Sequence, residues 1–89
     1  MSKASDKVNS QELYRAILSL ESEDECRRFF KDLCTIAELR AMEQRYDVAV
    51  LLDQGLVYSD ILERTGASSA TISRVNKALN YGEEGYKDV

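Results

Sequence analysis

This chain of 89 residues has no proline, no histidine and no tryptophan, and only two cysteines and four glycines. Each absence excludes something. Without proline, no helix is interrupted by a locked φ or a missing donor. Without histidine, and with Cys26 and Cys34 outside any CxxC pair, a structural zinc site lacks its ligands. Their spacing on one helix would set the thiols about two turns apart, roughly 12 Å, too far for a disulfide. Both are read as reduced cysteines packed as small hydrophobes. No apolar run approaches the ~18 residues that span a bilayer, and the start, MSKASDKVNSQE, is polar rather than signal-like. A cytoplasmic protein with no cofactor and no membrane partner is expected. An enzyme is not, because a cysteine beside a base, a glycine-rich phosphate loop and a carboxylate cluster with room for a substrate are all missing. The acidic run Glu21, Glu23, Asp24 and Glu25 sits at a helix start, where it complements the dipole as a solvated cap rather than a metal site.

What is present points to helices. Leucine, alanine, glutamate and arginine are plentiful, and all are good helix formers. The length allows one domain, residues 1–89, whose small core is marginal. With disulfides and metal set aside, oligomerisation remains as the way to cover it. The net charge of −4 weighs against a nucleic-acid partner at first. Its distribution is more permissive. Residues 56–82 carry Arg64, Arg74 and Lys77 against Asp60 and Glu63, so the acidic excess lies outside this segment. A reading head this mildly basic would bind feebly as one copy and better as two on one duplex.

The helix punctuation is legible. Asn9 with Glu12 opens a first helix carrying Leu13, Ile17 and Leu20. Ser22 with Glu25 forms a capping box, opening a helix with Cys26, Phe29, Phe30 and Leu33. Thr35 with Glu38 forms a second, opening the longest helix. There Ile36, Leu39, Met42, Tyr46, Ala49, Val50 and Leu52 are expected to face inward, with an end near Gln54 and Gly55 in a left-handed closing position. These three helices exceed what one small chain can cover, so residues 9–54 are expected to build an intertwined dimer. Residues 1–8 and the glycine-containing tail YGEEGYKDV, from Tyr81, are expected to be flexible.

Residues 58–80 fit a helix-turn-helix. A first helix from about Ser59 to Thr65 needs apolar contacts at Ile61 and Leu62 and near Thr65. Gly66 supplies a turn with positive φ, Ala67 points back to the core, and Ser68 caps a second helix with Ile72, Val75 and Leu79 inward. Ser69, Ala70, Ser73, Arg74, Asn76 and Lys77 then face outward. A helix end with small side chains can sink into a major groove until its backbone nears the bases, and its free amides suit a phosphate. The plainer reading is that Gly66 and Ser68 only join two helices of a bundle.

At LCTIAELRAM, QRYDVAVLLDQG and TGASSATISRVNKAL, the chain resembles the bacterial Trp repressor, most specifically in Ala70–Arg74 (ATISR) after Gly66. More closely, it resembles the small Trp repressor-like proteins of Gram-positive bacteria. The resemblance implies an all-α, intertwined homodimer bringing two reading heads to a palindromic operator in double-stranded DNA, about one helical turn apart, a docking for which the Trp repressor is a well-known example. It places base-facing contacts at Ser69, Ala70 and Ser73, with Ser59 or Asp60 near phosphate; Ser68, Arg74 and Lys77, read from their place on the same helix, complete the expected DNA-binding set. A small-molecule effector site is implied at Thr35, Arg45 and Arg74, where the family sandwiches tryptophan between two arginines. Two departures count against tryptophan itself. Val75 stands where the repressor has glycine, and overpacking a ring-sized slot costs about 1–3 kcal/mol. Ala78 replaces a hydroxyl, losing a bond to a charged group worth about 1.5–3 kcal/mol. Against a micromolar site of about 8 kcal/mol these losses are large.

Two other readings of the arginines stand beside that one. Arg45 could pair with Glu43 or Asp47 on its own helix, and Arg74 could contact phosphate rather than an effector. For the whole chain, the leading expectation is a sequence-specific transcription regulator, with repression by promoter occlusion. The alternative is a helical protein-interaction module that has lost DNA binding.

Overall fold

Three signals of helix start and stop can be followed directly into structure. The computed structural model describes residues 11–86 and 89, so the proposed start signal at Asn9 lies outside them. Among the described residues all regular structure is helical: α1 (Gln11–Leu18), α2 (Glu23–Leu33), α3 (Ile36–Asp53), α4 (Tyr58–Thr65) and α5 (Ser69–Tyr81). At α2 the Ser22 hydroxyl accepts from the Glu25 amide at 3.1 Å. The Glu25 carboxylate returns to the Glu21 amide at 2.8 Å, one residue further back than in the usual capping box. Glu23 and Asp24 then pair with Arg27 and Arg28 one turn on, at 2.9 and 3.0 Å. These pairs are exposed, and each is worth about 0.3–0.5 kcal/mol.

The end of α3 is a Schellman closure. Gly55 takes φ 87°. Its amide donates to the Leu52 carbonyl at 3.0 Å, and the Leu56 amide reaches back to the Leu51 carbonyl at 3.2 Å. Leu51 and Leu56 both pack against the core, the apolar contact that usually accompanies this closure. The end of α4 uses the simpler left-handed cap. Gly66 has φ 72°, and its amide donates to the Leu62 carbonyl at 2.9 Å.

The chain divides into two compact units that part between Thr35 and Ile36. In the first, neither α1 nor α2 contains a buried residue. Phe29 and Phe30 make an edge-to-face pair with centroids 5.4 Å apart, and Cys26 and Cys34 are free thiols. The second unit holds the core. Here α3, which the sequence had grouped with the first two helices, packs against both α4 and α5, and α4 packs on α5. Val48, Ala49, Ile61, Ala67, Ile72 and Val75 are the buried hydrophobic residues among those described, with Leu51, Leu52, Leu56, Leu79 and Tyr86 packed around them.

The inward face expected of α3 needs correcting. Val48, not in the expected set, is wholly buried, whereas Ile36 is 74% exposed and Tyr46 and Val50 are exposed at 43% and 38%. At 100° per residue, Val48, Leu52 and Leu51 share one side of the helix, while Ile36, Leu39, Tyr46 and Val50 share another. A helix apolar on two sides can satisfy only one of them against its own α4 and α5. Tyr86 is half-buried and stacks on Tyr46, centroids 6.5 Å apart and planes inclined by 28°.

Because Ile72 has no exposed surface and belongs to a buried cluster with Val48 and Ala49 of α3 and Ile61 of α4, Ile72→Ala should lower stability by about 2–5 kcal/mol, read as a shift in the urea midpoint. A loss below about 1 kcal/mol would mean that this core closes around the gap.

Candidate nucleic-acid interface

The turn between α4 and α5 is held by one threonine. The Thr65 hydroxyl donates to the Ile61 carbonyl at 2.7 Å and accepts from the Ala67 amide at 3.1 Å. It thus ties the last turn of α4 to the residue that dips into the core. Ala67 is buried, so the chain re-enters the core between the two helices. Gly66 between them has open space where a Cβ would go, so its requirement is the positive φ and not room. From α3, the Gln44 side-chain amide donates to the Thr65 carbonyl at 3.1 Å.

Ser68 then starts α5. Its hydroxyl accepts from the Thr71 amide at 3.2 Å and donates to the Thr71 hydroxyl at 3.1 Å, so both its roles are used in the cap. Helical spacing puts Ile72, Val75 and Leu79 on the core side. Ala70, Ser73, Arg74 and Lys77 fall away from that side and, with Ser69 in the first turn, are all exposed, as is Ser59 in the first turn of α4. That first turn begins at Tyr58, one residue earlier than expected. Leu62, expected as an inward contact, is corrected to an exposed position 47% accessible to solvent. Among the described residues, Arg64, Arg74 and Lys77 make no ion pair with a carboxylate. The outward face of α5 therefore offers small side chains at its start and two unneutralised cations further along.

Of the residues expected around an effector, Arg45 is half-buried on α3 and Arg74 is exposed on α5. Thr35 is exposed at the end of the first unit. Among the described residues, Arg45 forms no ion pair with Glu43 or Asp47. A cavity of about 400 Å³ lies between α3, α5 and the tail, walled by Tyr46, Ala49, Val50, Asp53, Leu79 and Tyr86 among others, and neither arginine lines it. Val75 is 1% exposed and belongs to the core of the second unit.

With an exposed, serine-capped helix following a glycine turn, the chain has the geometry of a helix-turn-helix, and its sequence matches the family described as Trp repressor protein over residues 9–89. It belongs to the Trp repressor family. The protein YerC of Bacillus subtilis, itself uncharacterised, is 49% identical over 85 residues, covering 92% of this chain and 82% of YerC. Two solved structures share the fold, each with a TM-score of 0.85 and 88% of this chain covered. One is a candidate Trp repressor from Staphylococcus aureus, 46% identical and matched over 78% of its length. The other is a TrpR-like protein from Eubacterium eligens, 52% identical and matched over 80%. The all-α, Trp repressor-like fold expected from the ATISR segment is the fold of this chain.

Reading the sequence alone missed Gln44, Val48 and Tyr86. A signal for Gln44 was available: it lies four residues before Val48 and seven before Leu51, so it shares their face, and a polar group there needs a partner. Gly66→Ala should destabilise the chain by about 1–2 kcal/mol through backbone strain alone, whereas Gly66→Asn should cost less. Equal urea midpoints for the two variants would show that the left-handed turn had been abandoned.

Proposed function

We propose that this protein is a sequence-specific DNA-binding transcription regulator that acts as a cytoplasmic homodimer and represses by occluding a promoter. The observation carrying the reading is the outward face of α5. Ser69, Ala70 and Ser73 would meet base edges in the major groove, and Arg74 and Lys77 would meet phosphate, with Ser59 near the backbone from α4. Small residues at the front of a reading helix allow close approach, and the two cations supply sequence-independent attraction. Since Ser68 uses its hydroxyl in the cap, its contribution to a phosphate would come through the amides it leaves at the helix start.

The dimer rests on apolar surface that one chain leaves uncovered. Leu18 is 84% exposed on α1, Tyr14 and Leu33 are exposed in the same unit, and Ile36 opens the second apolar side of α3. Large exposed apolar residues in this density mark an association surface. None of the helices described is long and apolar enough to cross a membrane. A palindromic operator follows from two-fold symmetry, with half-sites about one helical turn apart. Tryptophan is a poor candidate for the effector. Val75 already fills the position beside Arg74 as a core residue, and Ala78 offers no hydroxyl.

Selection from random DNA at low salt should return a palindrome. On that site, Ser73→Ala should change base preference, while Arg74→Ala should weaken all sequences alike and reduce the salt slope by about one. A pool that yields no preferred sequence would instead favour a protein-interaction module, to which the acidic net charge of −4 is suited. Sedimentation equilibrium at micromolar concentration should give twice the mass of the 10.1 kDa chain. A monomer there would remove the dimer from the proposal.

A further inference from the structure

Apolar packing holds α4 and α5 against α3, but burial of hydrophobic surface is non-directional and leaves neighbouring helices free to slide or rotate by small amounts. A hydrogen bond has a preferred direction and resists such movement. Among residues 39–86, every side-chain hydrogen bond joins residues four or fewer apart, with one exception. The exception is Gln44 to the Thr65 carbonyl, 3.1 Å long, partly buried and spanning 21 residues. Its acceptor is the residue whose hydroxyl ties α4 to the turn, immediately before Gly66 and Ala67 lead into α5.

We propose that Gln44 is a positioning residue, which sets the angle of the reading helix α5 relative to α3. This inference rests on the DNA-reading, dimeric function proposed above. The chain of effect is short. Gln44 fixes Thr65, Thr65 fixes the turn through Ile61 and Ala67, and the turn fixes the start of α5, where Ser69, Ala70 and Ser73 lie. In a dimer that uses two such helices, an error in this angle is repeated on both sides of the two-fold axis. Its first consequence is therefore an altered separation between reading helices, with the base contacts of each helix unchanged.

The test uses the full chain and its selected operator, together with operators whose half-sites are one base pair closer or further apart. Gln44→Met keeps the length and helical preference of the side chain but removes the donor. It should bind the best-spaced operator about fivefold more weakly, the scale of one net hydrogen bond, and discriminate less among the three spacings. Gln44→Glu, which presents a carboxylate to the same carbonyl, should do the same, and it is read alone if the methionine variant loses its helical circular dichroism. Base preference within each half-site should be unchanged for both. Equal weakening at all three spacings would show that Gln44 contributes only stability and overturns the inference, as would wild-type binding by both variants. If the wild-type chain selects no DNA sequence at all, the proposed function fails first and takes this inference with it.

Discussion

The contact of Val48 and Ala49 on α3 with the Ile61, Ala67, Ile72 and Val75 cluster is the constraint on which the rest of the second unit depends. Both α4 and α5 are short, and short helices are marginal by themselves in water. They acquire fixed positions only by burying one side against a longer neighbour. The glycine turn supplies the reversal between them, and Ala67, small enough to enter, closes the bottom of the corner. Once the inward sides are committed in this way, the outward residues of α5 are presented on a rigid base. Preorganisation of that kind reduces what must be ordered on binding.

The same contact determines what is left over. Because α3 gives one side to its own helix-turn-helix, the side bearing Ile36, Leu39, Tyr46 and Val50 is not covered by α4 and α5. Tyr86 from the tail covers part of it at Tyr46. The first unit, with no fully buried residue in either of its helices, has a similar excess of apolar surface. A second copy of the chain is the occupant that the proposed function assigns to these surfaces. Their polar surroundings, including the paired Glu23, Asp24, Arg27 and Arg28, are typical of solvated helix edges and contribute little to stability.

Charge and shape divide the work at the proposed interface. The chain as a whole is acidic, yet α5 has no acidic residue in its first turn and presents Arg74 and Lys77 without carboxylate partners among the described residues. Attraction to DNA from so few cations would be modest, which places more of the recognition on close approach by Ser69, Ala70 and Ser73. Close approach, in turn, is sensitive to small changes of helix angle.

Much of the local structure was determined by the sequence itself. The cap at Ser22, the closures at Gly55 and Gly66, the burial of Ala67 and the cap at Ser68 all follow from interactions within five or six residues, so local residue chemistry was enough to place them. The periodicity of α5 likewise separated Ile72 and Val75 from Ser69, Ser73 and Arg74, because a helix on one surface has one inward side. The ATISR segment pointed to the family from residues that are neighbours in the chain, just after the Gly66 turn and the Ser68 cap. What only the tertiary structure decided are the matters of choice between distant partners. On α3, apolar residues occupy two sides, and local spacing cannot say which one α4 and α5 will take; packing chose Val48 and left Ile36 exposed. On α4, Ile61 is buried and Leu62 is left exposed. Gln44 and Thr65 are 21 residues apart, and Tyr46 and Tyr86 further still, so neither pairing has a local signature.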